Sequence, residues 1–303
     1  MSALVAQNGV ATWSAGFGFS DLEGAVRATS ETPYIIGGLS QTFGATLLLK
    51  ECIEEGPGEL SDPVAMWVPD FPEPRTTIAE LLGHVTSTGA FKLDLTRFAA
   101  LTPVIESCAD ESFTRLLYDE IFSRLLMSSS VPGTALGAPT AADLDQFTTV
   151  ELARFSGIIG RLAKPYRVAS GRHVRGDVPA MRVNASYGTA STVHDLAMFD
   201  SVLRPGVNHL LEWPTVVRAW SPVAPNLPAG LGWFVQNYNG ELVVWQFGQV
   251  QNGYSSLLVK APNRGLTFIL LANSDALAAP FSGSSWDVTA SAFARTFLKL
   301  YVG

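Results

Sequence analysis

Few residues of this chain stand in a pattern that would do chemistry unaided. The four histidines, His84, His173, His194 and His209, do not fall in a metal-ligand spacing. Cys52 and Cys108 are the only cysteines, and both sit in helical patterns. Two structural thiols of a reducing compartment are therefore expected rather than a disulfide. Ser40 opens a buried helical pattern, where a small hydroxyl residue serves to bond the backbone. The side-chain amides of Gln41 and Gln246 donate and accept hydrogen bonds but cannot act as bases near neutral pH. A formal charge of −7 leaves no basic stripe to neutralise phosphates, which excludes nucleic acid as a partner.

The elements that must position these residues follow from periodicity. Hydrophobic residues make up 47% of the 303 and charged residues 16%, ample for a core and suited to two lobes around one cleft. Leu4–Gln7, Asn8-Gly9 and Val10–Ala15 read as strand, turn and strand. Gly44–Glu55 carries apolar residues at helical spacing. Pro and Gly cluster from Gly56 to Pro74. Helical patterns then cover Ile78–Leu82, Leu95–Cys108 and Phe113–Leu126, with a loop at Val131–Ala142. Strand patterns return at Gly232–Tyr238, Glu241–Phe247, Tyr254–Lys260 and Leu266–Ala272, with the Asn239-Gly240 turn between the first two. Val288–Tyr301 is helical again. The expected fold is α+β: an antiparallel sheet built from both chain ends, residues 1–60 and 188–303, with a helical lobe, 61–187, inserted. The most apolar segments, such as Leu266–Ala272, are too short to cross a bilayer. The first residues, Met-Ser-Ala-Leu-Val-Ala-Gln-Asn-Gly, carry neither a basic leader nor a long apolar stretch, so the cytoplasm is the expected location.

Four stretches in order carry a resemblance: Thr32-Pro33-Tyr34-Ile35-Ile36-Gly37-Gly38-Leu39-Ser40-Gln41-Thr42-Phe43; Gly58-Glu59-Leu60-Ser61-Asp62-Pro63-Val64 with Leu81-Leu82-Gly83-His84-Val85-Thr86-Ser87; Thr189-Ala190-Ser191-Thr192-Val193-His194-Asp195-Leu196; and Val244-Trp245-Gln246-Phe247-Gly248. Together they resemble the serine β-lactamase (class C) and penicillin-binding-protein family. The resemblance implies a serine nucleophile at a helix start and a lysine three residues on, one turn along the same face. Aligned on Ile36-Gly37, those positions hold Gly38 and Gln41. Ser40 lies about 200° around the helix from the nucleophile position, and a register that let it lead would place Phe43 at the lysine. The family's Tyr-x-Asn falls at Leu93-Asp94-Leu95 and its cleft-strand Lys/His-x-Gly at Gln246-Phe247-Gly248. Each ionisable group of the acylation chemistry is thus expected to be replaced by a neutral one.

The resemblance also implies what remains. The backbone N–H groups of Gly38 and Gln249 match the two donors of the family's oxyanion hole. Tyr187 stands where the family has a small residue, and it either reshapes the cleft or packs between lobes. Trp233 and Phe247 belong to cleft-side strands or to the core. His84 matches a position that supports a turn. Asp94 is the one carboxylate near the cleft, either an acid or base or a solvated loop residue. The expected ligand is a neutral, carbonyl-bearing small molecule, with no metal and no cofactor. Three functions stay open: a noncovalent enzyme for cyclisation, isomerisation or rearrangement in specialised metabolism, a non-catalytic binding or scaffold protein, and a residual serine hydrolase. Hydrogen-bonding amides at two former catalytic positions favour a site that still handles a small molecule. Replacing Gln41 or Gln246 by leucine is expected to weaken binding with little change in melting temperature.

Overall fold

The computed structural model describes residues 1–169, 172–207, 210–281 and 286–303; His209 lies outside the described residues. Alternating apolar residues at both ends of the chain build one antiparallel sheet. Its strands are β1 (Ser2–Gln7), β2 (Val10–Gly16), β3 (Phe234–Tyr238), β4 (Glu241–Val250), β5 (Tyr254–Ala261) and β6 (Leu266–Ala272), in the order β2-β1-β6-β5-β4-β3. Asn8-Gly9 and Asn239-Gly240 adopt positive φ throughout, as two-residue hairpin turns require. Successive residues face opposite sides. Tyr254, Leu258, Ile269 and Leu271 enter a core shared with the helices between the strands, while Leu257, Val259, Phe268 and Leu270 pack on the other side. That second side is covered by the C-terminal helix Ala292–Tyr301, which supplies Ala294, Phe297 and Leu298.

The helical patterns form with local differences; Phe113–Leu116, for example, passes into a π turn at Leu117–Ser123. A 3-10 turn, Gly37–Ser40, leads into α1 (Gln41–Leu48), which runs on as a wider π turn, Leu49–Glu54. The single helix expected over Leu95–Cys108 is two, α2 (Leu95–Phe98) and α3 (Leu101–Ala109). Pro103 is the reason, because its missing N–H is tolerated only in a first turn. The loop expected at Val131–Ala142 contains the 3-10 turn Thr134–Gly137 and the start of the helix Ala141–Gln146. The structure adds a helix over Thr149–Gly160 and a hairpin pairing Tyr166–Ala169 with Arg172–Arg175, neither expected from periodicity.

The cysteines overturn their expectation. Cys52, in the π turn after α1, and Cys108, near the end of α3, are joined in a disulfide that spans 56 residues. Both cysteines do lie in helical segments, but periodicity within an element says nothing about the distance between two elements. Among the described residues, no helix is long and apolar enough to cross a membrane.

Candidate functional site

The site begins where two backbones touch. Gly37 has φ +56°, and a Cβ there would lie 2.7 Å from Gln249 N. A Cβ on Gly248 would lie 1.9 Å from Ile36 O and 2.8 Å from Gly38 N. Glycine at both positions lets the 3-10 turn seat against the end of β4, where Ser256 Oγ donates to Ile36 O at 2.7 Å. β3 pairs only with Glu241–Trp245, so the remainder of β4 has the turn, not a strand, on that side. Phe247 N–H donates to the side chain of its own neighbour, Gln246 Oε1, at 3.0 Å. Alternate residues of an antiparallel strand direct their N–H groups to the same edge, so Gln249 N–H points the same way, toward Gly37 and Gly38.

Above this contact lies a cleft of about 290 Å³, lined by Gly38, Gln41, Leu93, Leu95, Gln246, Phe247, Gly248, Gln249 and Gln251. None of these carries an ionisable or hydroxyl side chain. Gly38 faces into it: a Cβ at that position would meet Leu95 Cδ2 at 3.3 Å and Phe247 O at 3.4 Å, close but accommodated by a small shift. Six residues singled out from the sequence therefore meet here although more than 200 positions separate Gly38 from Gln249: Gly38, Gln41, Leu93, Gln246, Phe247 and Gln249.

The two glutamine amides are engaged with each other rather than projecting free. Gln246 Nε2 donates to Gln41 Oε1 at 3.2 Å and to Gly232 O at 3.1 Å. With Oε1 accepting from Phe247 N–H and both Nε2 hydrogens donated, the Gln246 amide is fixed in orientation, which sets that of Gln41. Gln41 Nε2 then points toward Ser186 Oγ, 3.5 Å away. Both glutamines are almost wholly buried. His84 sits behind them in the left-handed region, φ +56°. Protonation at Nε2 lets that nitrogen donate to Gln41 Oε1 at 3.4 Å while Nδ1 accepts from Asp94 N–H at 3.4 Å, an assignment made from the hydrogen-bond network. Burial pushes the imidazole down to about 3; the Arg97 charge adds to this and Asp94 opposes it. The ring is therefore neutral at physiological pH.

The other residues singled out from the sequence lie elsewhere. Asp94 caps α2, accepting from Arg97 N–H at 3.0 Å, with Lys92 Nζ 3.8 Å away. Its flanking leucines line the cleft and it does not, so its carboxylate is spent on the helix end. Tyr187 belongs to the Asn184–Tyr187 turn, where Asn184 Oδ1 accepts from Ser186 and Tyr187 N–H groups. Trp233 is buried in the main core. Neither lines the cleft. Ser40 is also buried outside the lining, and its Oγ has no hydrogen-bond partner among the described residues. Leu95, which the resemblance places at the Asn position of Tyr-x-Asn, lines the cleft beside Leu93. Sequence reasoning missed Gln251 and the supporting Ser186.

An antiparallel sheet drawn from both chain ends, helices carried between β2 and β3, and a cleft at the free end of β4 define a β-lactamase-like α+β protein. The chain belongs to the β-lactamase family, whose sequence profile, Beta-lactamase, matches residues 1–286. A teichoic acid D-alanine hydrolase of Staphylococcus aureus (strain MRSA252) is 37% identical over 70 residues, which is 23% of this chain and 17% of that protein. The match thus spans less than a fifth of the curated relative. In fold, the chain is similar to a penicillin-binding protein from Bacillus halodurans (TM-score 0.73, 17% identity, 90% of this chain and 92% of that one). It is similar also to a D-amino acid amidase from Ochrobactrum anthropi SV3 (TM-score 0.71, 16% identity, 99% and 92%).

Proposed function

We propose that this β-lactamase-family chain binds a neutral, carbonyl-bearing small molecule in the cleft and acts on it without a covalent intermediate. The carrying observation is the lining itself, in which glycines, leucines, glutamines and one phenylalanine surround the paired backbones at Gly38 and Gln249. Two N–H groups at that point would polarise a carbonyl oxygen. An unpaired carboxylate or phosphate would be costly among side chains that offer it no cation. The relatives named as a D-alanine hydrolase and a D-amino acid amidase support a carbonyl compound as the ligand. The reaction would be a cyclisation, isomerisation or rearrangement, in which confinement and polarisation replace a nucleophile. In this reading residues 61–187 form a lobe inserted into the sheet-forming chain, and the cleft lies where the two meet.

A second reading, a binding protein without catalysis, is favoured by one fact: no side chain that lines the cleft can transfer a proton. A panel of lactones and amides beside the matched free carboxylates, followed by ligand-observed NMR, tests the shared core of both readings. Neutral compounds should bind, and Gly38→Val, which puts branched carbons against Leu95, should abolish that binding. Turnover of a bound lactone separates enzyme from binder. Binding of the carboxylates alone would refute both, and an acylated protein would return the chain to the serine hydrolases.

A further inference from the structure

A second cavity, of about 430 Å³, opens at the other end of the sheet. Gln249 of the cleft pairs with Ser255, and Lys260, which lines the second cavity, stands five residues further along β5. At the rise of an extended strand that is about 17 Å, so the two spaces are separate. The cavity floor is a buried ionic group. Lys260 Nζ donates to Asp200 Oδ1 at 2.6 Å and to Leu203 O at 3.4 Å, and Thr267 Oγ1 donates to Asp200 Oδ2 at 2.6 Å. Lys260, Asp200 and Thr267 are each no more than 5% exposed. The lysine ammonium also lies 4.2 Å from the centroid of the Trp220 ring. Trp220 lines the cavity, and its buried Nε1 has no hydrogen-bond partner among the described residues.

The walls continue the same chemistry. Arg204 and Arg264 line the space, giving with Lys260 three cations against the single carboxylate of Asp200. Glu241, which accepts from Arg264 Nε at 3.0 Å, offsets one of them, and a positive excess remains in a chain of net charge −7. Arg204 holds Asn8 O through one nitrogen; a guanidinium has five N–H donors in a fork, and one carbonyl does not exhaust it. The frame is rigid. Asn8 N–H donates to Gly265 O at 2.7 Å, and a Cβ on Gly265 would lie 2.0 Å from Asn8 Oδ1, so the turns at Asn8-Gly9 and Arg264-Gly265 interlock. Leu203, Pro205, Pro262 and Leu266 supply an apolar side. A buried ion pair contributes little stability compared with well-packed apolar residues of the same volume, and this one is not sealed in the core but floors an open space.

We propose that this cavity is a second ligand site, which takes a small organic anion, a carboxylate or a phosphate monoester. Arg204 and Arg264 hold the anionic group, and the carbon skeleton lies against Leu203, Pro205 and Pro262. The test is titration of the full chain with phenyl phosphate, benzoate and the neutral benzyl alcohol, followed by calorimetry and by the indole N–H signals in a ¹H–¹⁵N spectrum. The Trp220 signal is assigned with Trp220→Phe. At least one anion should bind with a submillimolar Kd and shift the Trp220 signal, and benzyl alcohol should do neither. The stronger of the two anions identifies the headgroup. Arg204→Gln and Arg264→Gln should each weaken binding by roughly tenfold; Arg264, at the exposed rim, keeps the test valid if the Arg204 variant folds poorly. Gly38→Val, which fills the other cleft, should leave this binding unchanged and so separates a failure here from a failure of the cleft. The proposal is overturned if neither anion binds at about 10 mM, a free energy of binding below about 3 kcal/mol. It is equally overturned if binding survives Arg264→Gln undiminished, or if Gly38→Val removes it; the Lys260–Asp200–Thr267 group would then only tie the helix Val193–Val202, which carries Asp200, to the sheet.

Discussion

Replacing Gln246 by leucine should destabilise the protein by about 3 kcal/mol. The change is nearly isosteric, so little of the loss comes from packing. What disappears is a set of three buried hydrogen bonds: from Nε2 to Gln41 Oε1 and to Gly232 O, and into Oε1 from Phe247 N–H. Gln41 Oε1 keeps His84 as a partner, which leaves one backbone carbonyl and one backbone N–H without a bond. Each such orphan costs about 1–3 kcal/mol, reduced where water from the cleft reaches it and offset in part by the apolar side chain. For 303 residues the unfolding entropy is about 0.6 kcal/mol/K, so the melting temperature should fall by about 5 °C. Urea unfolding of wild type, Gln246→Leu and Gln251→Leu gives the comparison, since Gln251 is exposed at the rim and its substitution should stay within about 0.5 kcal/mol. A Gln246→Leu protein as stable as Gln251→Leu would mean that the amide bonds are not formed. These bonds replace the expectation, drawn from sequence, that the substitution would change the melting temperature little.

Two further outcomes follow from groups that support the site. A disulfide that closes a 56-residue separation should contribute about 4 kcal/mol by restricting the unfolded chain; purified protein denatured without reductant should show no titratable thiol, and two free thiols would refute the bond. The same titration on protein alkylated inside cells bears on location, because a persistent disulfide belongs to an oxidising compartment and stands against the cytoplasm proposed from the sequence. His84 is held neutral, with its pKa lowered from 6.5 to about 3. The folded state therefore binds fewer protons than the unfolded one below pH 6.5, and stability present above that value is lost as pH falls toward 3. Between pH 7 and pH 5 this single group removes about 2 kcal/mol, a component that unfolding titrations should find missing in His84→Gln.

Much of the fold was legible because its signals are local. Asn8-Gly9 and Asn239-Gly240 between alternating apolar runs could only be hairpins, and strands at both ends of the chain implied a sheet that the ends share. The helix at Thr149–Gly160 was also signalled, by the reciprocal Thr148 and Glu151 cap, and was overlooked in a region of weak periodicity. The cleft residues were located by family resemblance rather than by pattern, since no periodicity relates Gly38 to Gln249. What stayed hidden depends on distances between elements and on side-chain direction. The pairing of Cys52 with Cys108, the Gln41–Gln246 bond and the use of the Asp94 carboxylate as a helix cap are of this kind, although Asp94 before an apolar turn is itself a recognisable cap.

In the proposed function the cleft works without an acyl-enzyme, because Gly38 and Gln41 occupy the positions at which the resemblance places the nucleophile and its base. The most direct measurement is the intact mass of the purified protein after incubation with a fluorescent penicillin and, separately, with a fluorophosphonate. An unmodified mass is expected with both reagents. A stoichiometric adduct, mapped by peptide analysis to Ser40, would contradict it.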